Sequence, residues 1–187
     1  MIRFVFSERK AAQAAAYLLK LNGGRMPYLK LIKLLYLADR ESLLKTGLPI
    51  TGDRFVSMDR GPVLSRVYNL ISEEPQDLQR PWFEYIKPPQ DYAVSLANES
   101  PEFDDLSPFE TKLLESLFQT YKDTDRFALA DLTHEICPEW KDPQGSSIPI
   151  DPAEVLQVAG KSQEEIERVT RDALELQVLA RIACSDC

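Results

Sequence analysis

The sequence predicts a mainly α protein: a compact bundle of about six to seven helices with a small β-hairpin and short extended segments. Three observations carry this. Apolar residues recur at helical spacing over most of the 187 residues. Residues with N-cap chemistry, Ser7, Ser107, Asp125, Asp151 and Ser162, head those stretches. The tract that instead alternates apolar and polar residues lies where prolines 75, 81, 88, 89 and 101 forbid a long helix.

In chain order, Ser7 caps an Ala-rich helix over Glu8 to Leu21, which Asn22-Gly23-Gly24 stops because glycine accepts the left-handed cap geometry. After Pro27 a second helix runs from Tyr28 to Lys45 and is closed by Gly47 and Pro49. At 100° per residue its Lys30, Lys33, Arg40 and Glu41 share one narrow stripe, and Leu31, Ile32, Leu35, Ala38 and Leu43 cover the opposite side. So wide an apolar face marks the central helix of the core, with the charged stripe expected in solvent. Arg54 to Met58 is a short extended piece, and Pro62 is expected as the first residue of a third helix with apolar residues at 63, 64, 67, 70 and 71. Trp82–Ile86 and Tyr92–Leu96 alternate as two strands joined over residues 88–91 into a hairpin. Ser107-Pro108-Phe109-Glu110 is a capping box for a helix whose apolar face is 109, 113, 114, 117, 118 and 121. Asp125 caps a helix ending at Cys137-Pro138, residues 142–150 form a loop, and Asp151-Pro152 opens a short helix ending at Gly160. Ser162 with Glu165 opens the last helix, expected to bury Ile166, Val169, Ala173, Leu176 and Ala180.

No repeat, low-complexity tract or long linker divides the chain, so residues 1–160 are expected as one domain, with 161–187 an acidic helix and tail packed on it. Net charge is -8, but it is unevenly placed. Residues 1–68 hold 12 Lys+Arg and 5 Asp+Glu, whereas 69–187 hold 10 and 25. The halves therefore carry +7 and -15, which suits either self-complementary packing or a macromolecular partner. No apolar run approaches the ~20 residues of a bilayer span, and Phe4-Val5-Phe6 is too short for a signal peptide core. Three cysteines in a chain of this size fit a reducing, cytoplasmic setting.

Phosphate-binding glycine patterns are absent, and a single histidine excludes a two-histidine zinc protease. His134 near a helix end is read as a structural hydrogen-bonding residue rather than a catalytic one. His134/Cys137 and Cys184/Cys187 have zinc-compatible spacing, against which stand the position of Cys184 and Cys187 at the extreme C-terminus and a domain already rich in core residues. Asp39 sits amid the apolar face of the second helix. A carboxylate there needs partners, either cations such as Arg54 or Arg60 or backbone N–H groups of the following turn. Without a matched second carboxylate it reads as a strut rather than a catalytic acid. Asp53 and Asp59 flank turns and are expected in solvent or as caps. No catalytic residue, metal or cofactor is expected.

Three motifs occur within about forty residues: Lys33-Leu34-Leu35-Tyr36-Leu37-Ala38-Asp39-Arg40, Pro49-Ile50-Thr51-Gly52-Asp53 and Gly61-Pro62-Val63, followed by Tyr68-Asn69-Leu70-Ile71. With Thr133-His134 and Pro138-x-Trp140, they resemble the Panacea domain, the SocA-like antitoxin family. The resemblance implies a non-enzymatic antitoxin that neutralises a toxin encoded beside it, the toxins being of many unrelated kinds. It also implies scaffold roles for Asp39, Gly52, Asp53, Gly61, Pro62, Tyr68, His134 and Trp140. Toxin contacts are expected from Lys33, Tyr36, Arg40, Arg54, Met58 and Arg60 in the basic tract. Autorepression through DNA, and the delivery of a toxin to a protease by which one branch of the family acts, are the alternatives; no membrane partner is expected.

Overall fold

The computed structural model describes residues 1–185. It is mostly helical, with two small antiparallel sheets. Helix α1 (Glu8–Leu21) begins where the Ser7 hydroxyl accepts from the Lys10 N–H, and it buries the alanine face Ala11, Ala12, Ala14, Ala15 and Ala16. Small side chains on that face let α1 lie close to its neighbours. Strand β1 (Arg25–Pro27) leads into α2 (Tyr28–Thr46), which ends at Gly47 in the left-handed region, φ +82°. A side chain there is disfavoured, so glycine sets the stop.

Helix α2 is the axis of the core, surrounded by α1, β3 (Gly61–Leu64), α5 (Pro108–Tyr121), α6 (Arg126–Ile136) and α7 (Pro152–Val158). Leu31, Leu34, Leu35, Tyr36, Ala38 and Leu43 have essentially no exposure. Each buried leucine of this kind contributes about 1.5–3 kcal/mol. The charged stripe expected in solvent is buried as well: Lys33 is 0 % and Lys30 7 % exposed. Lys30 Nζ donates to the carbonyls of Lys122 (2.7 Å) and Thr124 (2.8 Å), where α5 leaves its last carbonyls without helical partners. The lysines of the stripe are therefore tethers to surrounding elements, while Glu41 pairs with Lys45 on the same helix.

Residues 55–64 form a hairpin, β2 (Phe55–Met58) with β3 around Asp59-Arg60, and β5 (Ile148–Pro149) adds to the other edge of β2. This corrects the expected helix start at Pro62: residues 61–64 pair with β2, and α3 spans Ser65–Ser72. The start is fixed from a distance, since the Asp53 carboxylate accepts from the N–H groups of Arg66 and Val67. It also corrects the loop expected over residues 142–150, which contains β5.

The expected hairpin over 82–96 forms only in part. Pro81–Tyr85 is a short helix, α4, and β4 (Ala93–Ser95) pairs with β1, while the antiparallel bridges Ile86–Leu96 and Gln90–Ala93, with the Lys87 N–H on the Ser95 carbonyl and the Ala97 N–H on the Tyr85 carbonyl, join the two tracts. Trp82 and Tyr85, three apart, bury one face of α4, which packs on α1. Glu8 accepts from the Trp82 N–H and clamps Arg80.

The capping box of α5 is present, although Phe109 on its expected apolar face is 41 % exposed. Asp125 and Asp151 cap α6 and α7. Helix α8 (Gln163–Ser185) buries Ile166, Val169 and Ala173, yet Leu176, expected inside, is 42 % exposed and Ala180 is only partly covered. The helix continues past the layer that covers its first half, so the later positions of the same face lack an opposing layer.

Candidate partner-binding site

The motif residues gather around α2 in three clusters. In the first, Asp39 has no exposure and accepts from the Thr51 N–H (3.0 Å) and hydroxyl (2.6 Å). Thr51 Oγ1 in turn accepts from the Asp53 N–H (3.1 Å), and Asp53 accepts from the N–H groups of Arg54, Arg66 and Val67. Of the two kinds of partner expected for Asp39, the turn backbone is present and Arg54 and Arg60 are not. Burial without a cation pushes the Asp39 carboxyl up to about 7, against the hydrogen bonds from Thr51. Asp53 is shifted up for the same first reason, and it is a buried cap rather than a solvated residue. Gly52 lies under residues 5–6: a Cβ there would overlap the Val5 carbonyl oxygen.

The second cluster surrounds Lys33. Its ammonium donates to the Pro62 carbonyl (2.9 Å), and a Cβ on Gly61, φ +89°, would overlap Thr133 Oγ1 and crowd Lys33 Nζ. Glycine is therefore what lets β3 approach α2 and α6 here. Desolvation pushes the Lys33 ammonium down to about 7. His134 stacks on Trp140, ring centroids 4.1 Å apart, and its Nε2 is buried without a hydrogen-bond partner. His134 thus acts through its ring face, not as the hydrogen-bonding residue expected. Burial, then the Lys33 charge, lowers its pKa. Trp140 Nε1 donates to the Met58 carbonyl (2.9 Å), tying the α6 exit to the hairpin.

Glu139 centres the third cluster. Fully buried, it accepts from Tyr36 Oη (2.7 Å) and from Arg40 Nε (2.7 Å) and Nη2 (3.2 Å). Desolvation, with the Glu139 charge behind it, raises the Tyr36 pKa, and desolvation pushes the neighbouring Cys137 thiol up to about 12. Cys137 is a buried, neutral thiol, a poor nucleophile. Among the described residues no group of three or more His, Cys, Asp or Glu could hold a metal ion. Of the other cysteines of the zinc reading, the Cys184 side chain and all of Cys187 lie outside what is described.

The six expected contact residues divide accordingly. Lys33 and Tyr36 are inside the protein and cannot meet a partner in this fold; α5, α6 and β3 cover the stripe that the helix alone would expose. Arg40 is mostly spent on Glu139, its side chain 12 % exposed. Arg54 and Arg60 are exposed and Met58 half-buried, all on or beside the hairpin, with the Arg60 guanidinium 5.8 Å from the Phe127 ring centroid. Tyr68 is half-buried on α3 against the core. Glu139 and Thr51 went unremarked in the sequence although both stand inside quoted motifs. Thr51 is a polar motif position beside Gly52 and Glu139 the residue between Pro138 and Trp140, which was the available signal.

No helix is long and apolar enough to cross a membrane among the described residues. No curated protein matches the chain, and no solved structure does. The family model described as antitoxin SocA-like, Panacea domain, matches residues 31–141. Its span runs from the core of α2 to the residue after Trp140, enclosing all three clusters. More than half of the chain is covered, and the chain belongs to the SocA-like antitoxin family through its Panacea domain.

Proposed function

We propose that this protein is the antitoxin of a two-gene toxin–antitoxin system and neutralises its toxin in the cytoplasm by direct, stoichiometric binding, without catalysis of its own. The observation that carries this reading is the match to the antitoxin family over the residues that build the core. Consistent with it, the titratable motif residues are consumed internally: Asp39 by Thr51, Lys33 by Pro62, Glu139 by Tyr36 and Arg40. These clusters make a rigid base under the hairpin, whose exposed Arg54 and Arg60 are free of carboxylate partners among the described residues. Neutralisation is then steric and electrostatic, a preorganised surface covering the toxin's active site or its substrate approach.

Co-expression tests it. The product of the adjacent gene should arrest growth alone, and growth should return when this chain is present. A neighbour that is harmless alone, or lethal despite this chain, defeats the proposal. Inhibition of the purified toxin by the purified chain, with no protease added, separates direct neutralisation from delivery to a protease.

A further inference from the structure

Beside the hairpin lies a groove of about 510 Å³ whose mouth carries Arg3, Arg54 and Arg66 over an apolar floor that includes Phe4, Phe6 and Ile150. Its walls are unrelated in sequence. One is the N-terminal segment 1–6, held by the Ile2 N–H to Asp151 (3.0 Å) and the Ser7 N–H to the Thr51 carbonyl (3.0 Å), and threaded over Gly52. The other is the start of β2 and of α3.

The charge at this mouth is unbalanced. The three arginines are exposed, and among the described residues none of them makes an ion pair. The carboxylate in the lining is Asp53, which is 3 % exposed and already accepts from three backbone N–H groups. Its charge is felt by Arg66, but its oxygens are held by backbone N–H groups and it makes no ion pair with the three arginines. Arg66 is also oriented, with its guanidinium 4.9 Å from the Phe6 ring centroid. In a protein of net charge -8, a rimmed apolar floor with three guanidinium groups against one buried carboxylate is a local reversal of the global charge.

We infer that this groove docks an acidic, apolar-anchored peptide segment of the partner protein, aspartate or glutamate pairing with the arginines while a leucine- or phenylalanine-type side chain enters the floor. A nucleic acid fits less well: the Phe6 face that would stack a base is taken by Arg66, and residues 69–187, net -15, repel a polyanion. The inference rests on the antitoxin reading for the identity of the partner, though not for the chemistry of the groove.

The test uses the full chain and a labelled 15-residue peptide of alternating Glu/Asp and Leu/Phe. Controls are the same peptide with Gln/Asn for Glu/Asp and a 15-nucleotide single-stranded DNA. The acidic peptide should bind and weaken with salt. The triple variant Arg3→Glu, Arg54→Glu, Arg66→Glu should lower its affinity at least about tenfold, as expected for several exposed charge pairs reversed together. Should that variant fold poorly, the triple Gln variant should show a smaller loss of the same sign. Equal binding of the neutral peptide, tighter binding of the DNA, or no loss in the variants overturns the inference. In the co-expression assay, full rescue by the charge-reversed variant sinks the groove and spares the antitoxin reading; failure of the unaltered chain to rescue sinks that reading instead.

Discussion

Asp39→Asn offers a sharp probe of the buried frame, because its effect should depend on pH in a known direction. Asp39 has no exposure and takes its hydrogen bonds from the turn at residues 50–51, chiefly Thr51. Its carboxyl is raised from 3.8 to about 7 in the folded chain, chiefly by desolvation. A raised carboxyl makes folding take up a proton, so the stability it confers is complete below pH ~4 and is lost as pH climbs through about 7. Across that whole window the loss is about 4 kcal/mol, and between pH 5 and 8 about 3 kcal/mol. Asparagine cannot ionise. It keeps an acceptor for the Thr51 N–H and presents an NH₂ where the hydroxyl donates, a pH-independent cost of about 1–2 kcal/mol. About 1.5 kcal/mol is already lost by pH 5, so the variant should be close to the unaltered protein in stability at pH 5 and more stable than it by about 2–3 kcal/mol at pH 8. Urea unfolding of both proteins at pH 5, 6, 7 and 8 reads this directly. Parallel stability curves, or a variant that loses ground to the unaltered protein as pH rises, would refute the claim that desolvation of Asp39 dominates its ionisation.

Lys33→Met should show the opposite trend. The ammonium is depressed from 10.5 to about 7 by burial, so the stability it contributes at high pH is lost as pH falls through 7. The methionine variant should gain about 3 kcal/mol on the unaltered protein between pH 9 and pH 6, and no gain in a urea series extended to pH 9 would show that burial does not depress the Lys33 ammonium. Glu139→Gln leaves Arg40 and Tyr36 without their buried carboxylate and should cost about 3 kcal/mol. For a domain of this size that lowers the Tm by roughly 10 °C; an unchanged melt would mean the cluster is not cohesive.

The helices were legible in the sequence because their signals are local. Ser7, Ser107, Asp125 and Asp151 each accept an N–H two or three residues ahead, and Gly47 ends α2 through its own φ. The misreadings all involve partners distant in the chain. Residues 82–86 alternate as a strand would, but Glu8 supplies an N-terminal acceptor seventy-four residues away and α1 covers Trp82. The start of α3 moved from Pro62 to Ser65 because Asp53 caps from thirteen residues upstream and β2 claims residues 61–64.

The candidate site divides along the same line. By itself the sequence determined the family, the basic character of residues 1–68 and the need of Asp39 for a partner, since motif order, composition and helical angle are properties of the chain taken locally. Which basic residues face solvent was decided by tertiary structure alone. A helical wheel cannot know that α5, α6 and β3 close over Lys33 and Tyr36, while Arg54 stays exposed in a groove it shares with Arg3 and Arg66. Exposure belongs to the packed assembly of elements, because a side chain is buried by what lies opposite it, and what lies opposite α2 comes from 30 to 100 residues further along the chain.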